Sequence, residues 1–424
     1  MTDTIFAVSS GRPPAAIAVM RISGPDALSA GERLAGSLPP PRRAGLRTLK
    51  DYLGSAIDQA LVLVFPGPAT ATGEDLVELH LHGGRAVVAA VEHALASQSN
   101  LRAAGAGEFT RRALINGRID LIQAQGLADL LEAETEQQRR LAIESADGAI
   151  SRMVIGWMDS LSRLGAIIEA AIDFDDEDDV SAVDPAFIES ESAVLAETLG
   201  QVLARPAVER YRDGIRVVLV GPPNAGKSSL LNALIGREAA IVSPIAGTTR
   251  DRVEASIVRR GRIYTLIDTA GLRDKAEDPV ERIGIERALQ AVAAADIILD
   301  LSEPHSNDPR AIAVHARADV RPAALLGAIA TTINDLTTVD ALWEEIERRG
   351  DKVLGEITGP TFHEAQRQAI KDAQAALRRV IGSDDLLLQA EEVRTASRAL
   401  AGLLGIDATE AMLDALFGRF CVGK

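Results

Sequence analysis

The run Gly221-Pro222-Pro223-Asn224-Ala225-Gly226-Lys227-Ser228 fits G-x-x-x-x-G-K-[ST], a spacing whose chemistry is the cradling of phosphates. Glycines let the backbone curl so that successive N–H groups face the anion. Lys227 then reaches the β and γ oxygens, and the Ser228 hydroxyl can ligate Mg²⁺. An apolar strand, Ile215 to Val220, enters the loop, and a helix from Ser229 to Ile235 leaves it, as the pattern requires. Downstream, Asp268-Thr269-Ala270-Gly271 follows the apolar stretch Tyr264 to Ile267. There Asp268 can hold Mg²⁺ through water while the Gly271 N–H meets a γ-phosphate. Between the two motifs, Gly247-Thr248-Thr249-Arg250-Asp251 offers a hydroxyl, Thr249, that completes the Mg²⁺ shell when a γ-phosphate orders the loop.

Base selection departs from the usual pattern. The N-K-x-D tetrad that reads guanine is replaced by Ala316-Arg317-Ala318-Asp319, and an S-A-K-like loop is not recognisable at Ala328 to Thr332. Asp319 retains the carboxylate that accepts from the guanine ring N–H and amine. GTP is therefore expected, with weakened affinity, and Arg317 must replace the aliphatic stem of the lysine.

The elements that position these motifs belong to a chain of 424 residues, for which two to four domains are expected and three are read here. Residues 1–116 mix short β-like runs, Ile17 to Ile22 and Leu61 to Phe65, with one helix near Arg85 to Ser97, and so form an α+β domain. Ile150, Val154, Trp157, Leu161, Leu164, Ile168 and Ile172 recur at helical spacing within 117–213. After 214–350, Ile370, Leu377, Ile381, Leu386, Ala390, Val393, Leu400 and Leu404 resume that spacing within 351–424. The fold class expected is multidomain α and α/β, with an N-terminal α+β domain, a discontinuous helical domain, and a P-loop (Ras-like) G domain inserted in the latter.

The net charge of −16 argues against nucleic acid gripped over the whole surface, so any RNA contact is local or shared. The single Cys421, the absence of a basic leader and the lack of a long apolar run lead to the expectation of a cytoplasmic protein with no membrane contact. His80 and His82 share a strand face but lack a third ligand, and the acidic run from Asp173 to Asp179 reads as a solvated helix end.

The stretches GPPNAGKSSLLNAL, REAAIVSPIAGTTRD, DTAGLR and VERIGIERA, the terminal Phe420-Cys421-Val422-Gly423-Lys424, and N-terminal runs such as Thr72-Gly73-Glu74-Asp75 and Gly107-Glu108-Phe109-Thr110 resemble the bacterial tRNA modification GTPase MnmE (TrmE) family over the whole chain. The resemblance implies a GTPase that, with the flavoprotein MnmG (GidA) in a heterotetramer, places an aminomethyl or carboxymethylaminomethyl group on C5 of the wobble uridine of certain tRNAs. The carbon donor it implies is 5-formyl- or methylene-tetrahydrofolate. It further implies a homodimer joined by the N-terminal domains, with folate lined by Arg21, Glu78, Arg118 and Lys424.

It also implies K⁺ in place of an arginine finger, held by Asn224, Ser243, Ile245 and Thr248, and a water-positioning Glu281. The nucleotide-binding set is then Asn224, Ala225, Gly226, Lys227, Ser228 and Ser229, with Ser243, Pro244, Ile245, Ala246, Gly247, Thr248 and Thr249, and with Asp268, Thr269, Ala270, Gly271 and Asp319. Lys227, Glu281 and Cys421 are the candidate catalytic residues, Cys421 either as a nucleophile or as part of a tail that positions Lys424. The alternative is an Era- or Der-like ribosome-assembly GTPase, an RNA-binding switch. Era-like chains carry a G-x-x-G module after the G domain, where this one has helices.

Overall fold

The computed structural model describes residues 3–173, 185–236, 254–269, 289–321, 327–355, 359–406 and 409–423. They fall into two compact units, one of Met1–Leu131, Ile143–Ser192 and Ala376–Lys424, the other of Glu132–Ala142 and Ala193–Ala375.

The first unit contains a six-stranded sheet of β1 (Thr4–Val8), β2 (Ile17–Ser23), β3 (Gly45–Lys50), β4 (Ala56–Phe65), β5 (Leu76–His82) and β6 (Leu101–Ala103), in the order β3-β4-β5-β2-β1-β6. All neighbours are antiparallel except β1 and β6. Period-two burial explains the faces. Leu79 and Leu81 of β5 point into the core with Met20, Ile22 and Val62, while Glu78, His80 and His82 take the other face. The helix Arg85–Ala96 covers the apolar side through Val88, Val91 and Leu95, as its spacing predicts. Two further helices, Ala27–Ala35 and Glu108–Ile115, are not anticipated above; the first buries Ala27, Ala30, Gly31, Leu34 and Ala35 on one face.

The long helix Ala149–Asp173 buries Val154, Trp157, Leu161, Leu164 and Ile168. It packs along Leu386–Leu403, whose Val393 and Leu400 are buried, so segments far apart in sequence complete one helical layer. Arg394 ties the pair at the surface, its Nη2 lying 3.3 Å from Glu169.

The second unit holds β7 (Ile215–Val220), β8 (Glu254–Arg259), β9 (Arg262–Asp268), β10 (Ile297–Asp300), β11 (Ala311–Ala316) and β12 (Ile329–Thr331), in the order β12-β11-β10-β7-β9-β8. The ladder is parallel except for the edge pair β8–β9. Its inner strands are largely buried on both faces, which is why Ile215 to Val220 is apolar but for Arg216 and Ile297 to Leu299 is apolar throughout. The helix Leu336–Leu354 runs through Arg349 and Gly350, where the sequence reading closes the domain. Trp343 on this helix meets Tyr264 edge to face at 5.4 Å, and Arg259 stacks over Trp343 at 5.0 Å.

Candidate functional site

β7 lies between β9 and β10, so successive crossovers leave it in opposite directions and open a crevice at its carboxyl end. The phosphate loop fills that crevice, and the helix Lys227–Ile235 begins directly after it. Gly226 precedes the helix with φ of 99° and Asn224 has φ of 62°, so the turn uses left-handed backbone at the glycine and at a residue type that tolerates it. The helix starts at Lys227, two residues earlier than expected, which aims its unpaired N–H groups at the loop.

Lys227 is buried, and its Nζ donates to the carbonyls of Gly221 and Pro222, each at 2.9 Å. The ammonium therefore hangs over the loop where the phosphate oxygens of a nucleotide would lie. Ser228 Oγ donates to Asp268 Oδ2 at 2.6 Å, joining the start of the helix to the end of β9. A hydroxyl and a carboxylate converging in this way are an oxygen donor set suited to a small hard cation that keeps water and phosphate as its other ligands. Thr269 donates to the Leu219 carbonyl at 2.7 Å and locks that strand end to the P-loop strand. Ala225 is buried under the loop, while Asn224, Ser228 and Ser229 are exposed.

A cavity of about 160 Å³ adjoins the loop, lined by Gly226, Ser229, Leu230, Ala316, Arg317, Asp319, Val320 and Thr331 to Asn334. The Arg317 stem passes Gly226, its Cγ only 3.5 Å from where a Cβ would stand there, and so occupies the position expected for the lysine stem. The tetrad and the loop after β12 are stitched by Ala318 N–H to the Thr331 carbonyl at 3.0 Å. Asn334 Nδ2 donates to Asp319 Oδ2 at 2.7 Å. Desolvation works against ionisation of Asp319, but hydrogen bonds from Thr332, its own backbone and Asn334, with the Arg317 charge, hold its carboxyl below the usual range. The place left without an S-A-K-like motif is therefore a wall of the cavity, and Asn334 is the residue that sequence reasoning misses.

Ser243, Pro244, Ile245, Ala246, Gly247, Thr248, Thr249, Ala270, Gly271, Glu281 and Lys424 lie outside the described residues. Of the folate set, Arg21 and Glu78 are brought together, Nε to Oε1 at 2.8 Å, on facing positions of β2 and β5. Arg118 is held on the neighbouring loop, its Nε donating to the Thr70 carbonyl at 3.1 Å.

Cys421 is exposed. Its segment is sewn to the first sheet: Val422 bridges to Ala106, and Ser9 Oγ donates to the Gly423 carbonyl at 2.6 Å. Gly423 has φ of 96°, and a Cβ there would fall 2.0 Å from the Val8 carbonyl oxygen, so only glycine lets the tail dock.

His82 pairs with Asp58, Nδ1 to Oδ1 at 2.7 Å, which gives it a structural role. Among the described residues, no three His, Cys, Asp or Glu side chains gather to hold a metal. No described helix is long and apolar enough to cross a membrane.

The motifs Thr72 to Asp75 and Gly107 to Thr110 prove to be the walls of a buried charge cluster. Arg112 is fully buried, with Nη1 3.1 Å from Glu74 and Nη2 3.0 Å from Asp3 and 3.2 Å from Glu108.

Comparison with known proteins identifies the family. The family model described as GTP-binding protein TrmE N-terminus matches residues 4–118, and that of the MnmE helical domain matches 121–421. The tRNA modification GTPase MnmE of Erythrobacter litoralis is 50% identical over 424 residues, covering 100% of both chains. That of Rhizorhabdus wittichii is 51% identical over 427 residues, covering 100% of this chain and 97% of the relative. Among solved structures, the G domain of the T. maritima FeoB iron transporter covers 32% of this chain and 98% of its own, at 22% identity and a TM-score of 0.24. With a relative half identical from end to end and family matches over residues 4–118 and 121–421, this chain belongs to the MnmE family of tRNA modification GTPases.

Proposed function

We propose that the chain is a potassium-dependent GTPase that works with the flavoprotein MnmG to modify C5 of the wobble uridine of certain tRNAs. The group added is aminomethyl or carboxymethylaminomethyl, with its carbon drawn from a tetrahydrofolate derivative. The observation that carries the GTPase part is the convergence of Lys227, Ser228 and Asp268 at the mouth of β7. Family membership over the whole chain sets aside the ribosome-assembly reading.

In this mechanism Lys227 exchanges the Gly221 and Pro222 carbonyls for β and γ oxygens, where its charge stabilises the dispersed negative charge of phosphoryl transfer. Ser228 and Asp268, already joined by a hydrogen bond, would hold Mg²⁺, which would offset charge on the phosphates. Asn224, on its exposed turn, would offer a side-chain oxygen to K⁺ together with Ser243, Ile245 and Thr248. A monovalent cation beside the phosphates supplies the positive charge that an arginine finger supplies elsewhere. Thr249 would add its hydroxyl to the Mg²⁺ ligands and Glu281 would orient the attacking water.

The domain assignment that accompanies this reading is 1–116 for folate and dimerisation, 117–213 and 351–424 for the helical domain, and 214–350 for the G domain. Arg21, Glu78, Arg118 and Lys424 would hold the folate, the Arg21–Glu78 pair giving both charge signs to its polar groups. Cys421 stands near the tail as nucleophile or spacer, and the chain works as a cytoplasmic homodimer.

Two measurements test the proposal. Wobble uridines from cells lacking the protein should lose the C5 substituent in mass spectra; an unchanged nucleoside profile defeats the tRNA role. Hydrolysis of GTP by the full chain should run about tenfold or more faster in K⁺ than in Na⁺, and equal rates remove the potassium mechanism.

A further inference from the structure

We propose that Asn334, in the loop between β12 and the helix Leu336–Leu354, is a specificity-positioning residue that aims the Asp319 carboxylate at guanine and so makes up for the tetrad's missing asparagine. The inference rests on the guanine reading of Asp319 and deepens it.

Three observations support it. Ala316, at the place of the tetrad's asparagine, contributes only a methyl group, so the first position of the tetrad supplies no polar contact to the base. Asp319 is exposed at the cavity, and its carboxylate turns about two bonds, Cα–Cβ and Cβ–Cγ. Asn334 Nδ2 restrains that rotation by donating to Oδ2 at 2.7 Å, beside the Thr332 side chain that bonds the same carboxylate.

A carboxylate accepts at about four lone-pair sites, so beside the contacts from Asn334 and Thr332 the Asp319 oxygens keep sites to offer the guanine N1–H and N2–H groups. Adenine offers an acceptor at N1 and no 2-amino group, and it would leave the oriented carboxylate unmatched.

The loop that carries Asn334 is itself fixed. Thr338 Oγ1 donates to the Thr332 carbonyl at 3.1 Å and accepts from Thr332 N–H at 3.0 Å. Asn334 N–H donates to Thr332 Oγ1 at 3.3 Å, and Asp335 caps the following helix through Thr337 N–H at 3.0 Å. An asparagine on a pinned loop can orient its neighbour; one on a free loop would only follow it. The cavity beside this pair is of a size that suits one purine ring.

The test measures equilibrium binding of GDP, IDP and ADP by calorimetry to the full chain and to Asn334→Ala and Asn334→Asp. IDP lacks the 2-amino group, and Asn334→Asp keeps the shape while removing the donor. For both variants GDP affinity is expected to fall roughly tenfold, IDP affinity by less, and ADP affinity hardly at all, in line with the loss of a hydrogen bond to a charged group. A parallel fall for all three nucleotides would mean that Asn334 merely props the loop, and it overturns the proposal, as does unchanged GDP affinity. If the unaltered chain binds ADP as well as GDP, the guanine reading fails first and takes this inference with it.

Discussion

Lys227→Ala should lower GTP hydrolysis by about three orders of magnitude, measured as phosphate release at saturating nucleotide with K⁺ and Mg²⁺ present. The side chain has one position to work from. Its stem is buried and its ammonium is already held over the loop by the Gly221 and Pro222 carbonyls at 2.9 Å, so little reorganisation accompanies the arrival of phosphate oxygens. Alanine leaves those carbonyls facing the phosphates without a cation between them, adding repulsion to the loss of attraction. Lys227→Arg should not restore the rate, because the loop closes round a compact ammonium and not a planar fork. Activity within tenfold of the unaltered chain in Lys227→Ala would show that the loop is not the hydrolytic centre.

Arg112→Ala should destabilise the first unit by about 3 to 5 kcal/mol, the range for breaking a buried ion pair from one side. Arg112 is fully buried and serves three carboxylates, Asp3, Glu74 and Glu108, drawn from three segments. Removing it leaves those charges facing one another in a poorly solvated pocket, with only Arg102, which bonds Asp3 and Glu108 from the outside, to offset them. Exposed pairs of the same unit, such as Arg394–Glu169, are screened by solvent, contribute little and make a suitable control.

The readout is already present, since each unit contains one of the two tryptophans, Trp157 in the first and Trp343 in the second. Urea unfolding followed at Trp157 in a Trp343→Phe background should shift to lower denaturant; no shift would mean that the cluster contributes nothing net.

Acid should erode the same cluster. Burial opposes ionisation of Asp3 and Glu108, yet hydrogen bonds from Arg102 and the nearby Arg112 lower both carboxyls, with the Gly105 N–H adding to the effect at Glu108. Groups depressed in the folded state contribute stability above their unfolded pKa and lose it as pH falls through the folded one, so the gap between Arg112→Ala and the unaltered chain should narrow in strong acid.

What could be read without coordinates depended on whether the physics is local. The phosphate loop was legible because strand, turn and helix follow one another, so that Gly226, Lys227 and Ser228 declare their geometry by adjacency. The helix Ala149–Asp173 was legible for a similar reason, its buried positions repeating at helical spacing. Asn334 was not, since its partner Asp319 lies on another element and a lone asparagine in a polar loop carries no periodic signal. The Arg112 cluster was visible only as family motifs whose reason was obscure, because its carboxylates meet only after β1, the loop before β5 and the helix Glu108–Ile115 have folded. Ala27–Ala35 is harder to read because it is only nine residues long and Leu34 is the one large side chain on its buried face.

The tail that docks through Gly423 also orders events in time. Residues 421–423 close over Ala106, Val8 and Ser9, and the helix Leu386–Leu403 completes the layer begun by Ala149–Asp173. The first unit thus cannot finish until residues 421–423 have been made, although its sheet is built from residues 4–103. The second unit draws on nothing beyond Ala375 and can assemble while synthesis continues. The phosphate-binding sheet can therefore form before the tail seals the first sheet, and during that interval the early helices present apolar stripes that chaperones can bind.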